Sequence, residues 1–122
     1  MSKGTPYVLK PDIAAIVEVE PVAFDFGPLI SSNYQSGIYV TSADITVSVV
    51  AGADATPNDR LVAGPLIVNS QDVPAQVNAE VVAWFGTMVA GCTYLLQCVA
   101  HLSDGVSRPS MELRWSCYDP LD

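Results

Sequence analysis

Positive charge is scarce in this 122-residue chain, where five Lys and Arg stand against thirteen Asp and Glu for a formal net charge of −8. Phosphate neutralisation needs clustered cations, so the composition excludes a nucleic-acid partner. Long apolar runs are lacking as well. Half of the residues are hydrophobic, yet none of the apolar stretches approaches the ~20 residues that cross a bilayer, and Met1–Lys10 has no signal-peptide core. No membrane association is therefore expected, and the chain reads as a soluble protein made or assembled in the cytoplasm. Cysteine is limited to Cys92, Cys98 and Cys117, an odd number without secretory features, which argues for buried free thiols rather than a disulfide framework.

Helical periodicity is also missing; strand periodicity takes its place. In "DITVSVV" (44–50), Ile45, Val47 and Val49 alternate with Asp44, Thr46 and Ser48, the two-residue period of a half-buried strand. Three further runs repeat it: Val77, Ala79, Val81, Ala83 and Phe85; Tyr94, Leu96, Cys98, Ala100 and Leu102; and Met111, Leu113, Trp115 and Cys117. Breakers rich in Gly, Pro, Asn and Asp divide these runs at 51–59, 69–74, 86–91 and 103–105. Nine prolines fit poorly in helices and central strands. One all-β sandwich or small barrel is expected. An extended, proline-bracketed arm (residues 1–20) precedes the sandwich domain (residues 21–122), near whose start lies an apolar segment with two Phe (22–32).

"SDG" (103–105) marks the turn of a last hairpin. With Asp104 and Gly105 as the two central residues of a type I′ turn, both at positive φ, Cys98 faces Met111 and Cys92 faces Cys117. A bulge at Pro109 is the alternative that would separate the cysteines.

Reactive groups do not converge. His101 points to the opposite strand face from Cys92 and Cys98, and paired C-x-x-C spacing is absent, so no metal or cofactor is expected. His101 and Ser103 share the outward face, but no nucleophile elbow accompanies them and Asp104 is committed to the turn, so no catalytic residues are assigned and no enzyme is expected. Glu18 and Glu20 read as an exposed pair on a strand face. Asp54 and Asp59 read as a solvated loop without the dense acidic pattern of a calcium site.

Binding candidates are apolar. Val82 and Trp84 are expected to face outward, as are Leu95 and Val99, forming a stripe that a partner, or the chain's own arm, would cover. Tyr7, Leu9, Ile13 and Ile16 are the matching candidates in the arm. Lys3 and Lys10 make that arm basic before an acidic body.

"FDFGPLI", "SADITVSVVAGAD", "AEVVAWFGTMVAGCTYLLQCVAHLSDG" and "MELRWSC" together resemble a group of small immunoglobulin-like proteins encoded among the virion genes of tailed bacteriophages. The matching positions are Asp25, Phe26 and Gly27; Ile45, Thr46 and Val47; Ala90, Gly91 and Tyr94; and Asp104 and Gly105. Tyr94 is similar to the tyrosine corner of Greek-key sandwiches. The resemblance implies an immunoglobulin-like antiparallel β-sandwich with an extended N-terminal arm, and a non-enzymatic virion protein assembled in the host cytoplasm. The role implied is a capsid decoration or cement protein, or a neck or tail component, present as a homo-oligomer or in repeated copies and bound to other virion proteins. A carbohydrate- or ligand-binding sandwich using Trp84, Tyr34 and Tyr39 is the alternative.

Overall fold

A computed structural model of the chain describes residues 7–8 and 19–117. Its strands are β1 (Tyr7–Val8), β2 (Glu20–Asp25), β3 (Val40–Ala51), β4 (Leu61–Val68), β5 (Glu80–Phe85), β6 (Thr93–Leu102) and β7 (Ser110–Ser116). They form two antiparallel sheets, ordered β1-β2-β5-β4 and β3-β6-β7. The expected all-β sandwich is borne out.

Strand alternation builds the core. Val22, Phe24, Val81, Ala83 and Phe85 from the first sheet meet Val47, Tyr94, Leu96, Cys98, Met111 and Trp115 from the second, all buried. Each large side chain removed from water in this way contributes about 1.5–3 kcal/mol. Phe85 and Trp115 join the sheets directly, edge to face, with ring centroids 6.2 Å apart.

The last hairpin keeps the expected register: Tyr94 stands opposite Trp115 and Cys98 opposite Met111, without a bulge at Pro109. Cys117 donates its N–H to the Cys92 carbonyl at 2.8 Å, so those residues do meet, as buried free cysteines. The turn differs from expectation. Leu102 N–H bonds the Ser107 carbonyl, leaving a four-residue loop, and only Gly105 has positive φ (81°). Asp104 instead accepts the Val106 and Ser107 N–H groups through Oδ1, which closes the loop without a strained aspartate.

Three further differences have local causes. Gly27–Asn33 forms a short helix, α1, inside the expected apolar segment; Pro28 presets its first turn, and seven residues are too few to show a helical period. β4, "LVAGPLIV", was not among the expected strands because it is apolar throughout and carries Gly64 and Pro65, which mask alternation. Val77 lies outside β5 and is 51% exposed, since Asn78 at φ 50° turns the chain before the strand begins. β2 starts at Glu20 and pairs with β1 through Val8 and Val22.

Candidate binding face

β5 is a central strand, flanked by β2 and β4. Its outward residues therefore extend into rows across three strands. Trp84 stands between Pro21 and Ala63, and Val82 between Ala23 and Leu66. These six side chains are all apolar. Ala63 and Leu66 are exposed, Leu66 at 52%, while Pro21, Ala23, Val82 and Trp84 are half-buried. Trp84 faces outward from β5 as expected and is half-buried there.

Leu95 and Val99 face outward as expected, but from β6, on the opposite side of the sandwich. There they alternate with Gln97 and His101, and the flanking strands present Asp44, Thr46, Ser48, Glu112 and Arg114. The single apolar stripe expected from strand parity is therefore two separate surfaces, one apolar and one polar. Tyr7 lies in β1 opposite Ala23. Leu9, Ile13, Ile16 and Glu18, with Lys3 and Lys10, lie outside the described residues.

Three sheet edges, β4, β3 and β7, carry features that oppose main-chain pairing. On β4, Pro65 has no N–H to donate, and register shifts interrupt the strand at Leu61–Ala63 and Ala63–Leu66. On β3, the Val47 N–H is already taken by Asn58 Oδ1 at 2.9 Å. Glu112 and Arg114 place exposed charge along β7.

Other candidates resolve into structural roles. His101 Nε2 pairs with Asp44 Oδ2 at 2.7 Å, whereas Ser103 Oγ accepts the Tyr39 N–H, so the histidine and serine are not joined to each other by a bond. Among the described residues no three His, Cys, Asp or Glu side chains gather as metal ligands. Glu20, expected on an exposed face, is buried at the head of β2. Asp54, expected in solvent, accepts the Tyr94 hydroxyl at 2.7 Å and the Thr56 N–H, and lies 3.5 Å from Arg60 Nε. These bonds, Tyr94 foremost, hold its carboxyl below the usual range. The Tyr94 hydroxyl in turn accepts the Val89 N–H at 3.0 Å, so the expected tyrosine corner is formed, with burial pushing the phenol upward. Tyr34 and Tyr39 lie in the connection between α1 and β3, apart from Trp84 in β5, and the one aromatic ring pair among the described residues is Phe85 with Trp115.

Sequence reasoning missed the contribution of β4 to this face. Leu66 and Ala63 carry no periodic signal of their own; only pairing with β5 shows that they complete the rows. Comparison with protein-family models, curated proteins and solved structures finds no match.

Proposed function

We infer that the chain is a non-enzymatic structural protein of a bacteriophage particle that docks on neighbouring virion subunits through the outer face of β2, β5 and β4. The observation that carries this reading is the uncharged grid of Pro21, Trp84, Ala63, Ala23, Val82 and Leu66 on a chain of net charge −8. Apolar patches left on an otherwise charged surface mark contact sites, and a central Trp is a frequent anchor. With strands about 4.8 Å apart, the grid covers on the order of 200 Å². A stable pairwise interface buries about 800 Å² per partner, so the face serves as one of several contacts in an assembly of repeated copies, where linked weak contacts add up.

The finer fold reading has its own support. The strand orders β1-β2-β5-β4 and β3-β6-β7 coincide with the two sheets of constant-type immunoglobulin domains, and Tyr94 occupies the corner such sandwiches use. Capsid decoration and a neck or tail position both accommodate this sandwich, and no cofactor is required for either.

Substitution on the two faces tests the reading. Val82→Glu with Leu66→Glu should reduce incorporation into particles at least tenfold while the free chain stays folded. Leu95→Glu, on the opposite face, should leave incorporation unchanged. Normal incorporation of the double variant would overturn the proposal.

A further inference from the structure

Next to the two apolar rows, the register brings a third pair together: Asp25 of β2 faces Glu80 of β5. Both are buried, at 8% and 2% exposure. The loop after β4 folds over them and gives most of its donors to Asp25. Asp25 Oδ2 accepts Ser70 Oγ at 3.0 Å and the Gln71 and Asp72 N–H groups at 3.1 Å each, and Oδ1 accepts the Gly27 N–H at 2.8 Å. The Gln71 N–H is shared with Glu80 Oε1, at 3.2 Å. Ser70 Oγ also accepts the Val73 N–H at 2.9 Å, which ties the loop to itself.

Asp25 accepts four donors in this set, whereas Glu80 accepts only the shared Gln71 N–H, so Glu80 is the carboxyl left room to carry a proton. The charged groups acting on Glu80 are Asp25 from β2 and Asp72 from the loop, both acidic, and Val68, its neighbour on β4, brings no charge. Ionising both carboxyls would place two like charges in a poorly solvated site with no cation among these partners.

We propose that a protonated Glu80, packed beside Asp25, is a latch that holds residues 69–73 against the sheet, and that loss of this proton frees the loop. Burial first, and then the acidic neighbours, push Glu80 up to about 7 from an ordinary 4.5. Its raised value means that the folded chain keeps a proton which the unfolded chain has released. The resulting stability is complete below pH 4.5 and is lost as pH rises through 7. The latch is a property of the isolated chain and does not depend on what the apolar rows bind.

Carboxyl carbon NMR titration of the full chain, combined with amide exchange, tests it. Glu80 should titrate with a midpoint near 7. Exchange at Gln71 and Asp72 should accelerate at least tenfold beyond the intrinsic base-catalysed rise between pH 6 and 8. Glu80→Gln keeps a donor toward Asp25 at every pH and should remove that excess. A Glu80 midpoint between 4 and 5, or loop exchange that follows only the intrinsic rate, would overturn the latch. If the variant does not fold, the wild-type titration decides alone.

Discussion

Tyr94 Oη donates to Asp54 Oδ2 at 2.7 Å while accepting the Val89 N–H at 3.0 Å, so one hydroxyl ties the 51–60 loop to the turn that opens β6. Tyr94→Phe removes both bonds and leaves the Val89 N–H without this acceptor. It should cost about 1–2 kcal/mol, read as a lower urea midpoint at unchanged slope. Because bonding holds the Asp54 carboxyl below its ordinary 3.8, its contribution is present above pH 3.8 and is lost as pH falls further. The wild-type advantage over Tyr94→Phe should therefore shrink in acid.

Gly27 is required for steric reasons rather than for its dihedral angles. An added Cβ would lie 2.1 Å from Ser70 Oγ and 2.9 Å from Asp25 Oδ1. Gly27→Ala should displace Ser70 and with it the loop's bonds to Asp25. The expected result is a melting temperature lowered by about 5–10 °C, with amide exchange accelerated first at Gln71 and Asp72.

Cys92 and Cys117 meet across β6 and the end of β7 as free thiols. Burial pushes Cys98 up to about 12 and Cys117 up to about 11, and thiolate is the reactive form. Labelling of these two at pH 8 should be slow in the native chain. Under denaturing, non-reducing conditions all three thiols should react; a count of one would mean that two are joined in a disulfide.

Asn58 protects the long β3 edge by filling the Val47 N–H. Asn58→Ala should cost about 1 kcal/mol and raise self-association, since an unpaired strand edge is a template for another chain. Light scattering at increasing concentration would show it, and an unchanged monomer would count against edge protection at this site.

Period-two alternation made β3, β5, β6 and β7 legible, because each buries one face: Tyr94, Leu96, Cys98, Ala100 and Leu102 all point into the core. The hairpin register followed from centring the turn on Asp104 and Gly105, although the loop around them is longer than two residues. The binding face was only half legible. Parity shows that Trp84 and Leu95 both leave the core, but not that they leave it on opposite sides, since that depends on which sheet each strand joins. Leu66 could not be placed from alternation, and Asp25 with Glu80 could not be paired, because 55 residues separate them and only the β2–β5 register brings them together. Glu20 and Asp54 were expected in solvent on the strength of their charge; long-range folding buries the first and bonds the second.

Hydroxyl-radical footprinting of the free chain and of the assembled particle tests the docking account most directly. Trp84 and Leu66 should lose reactivity several-fold in the particle, while Leu95 on the far face keeps its own. Protection of Leu95 with Trp84 and Leu66 unchanged would contradict it.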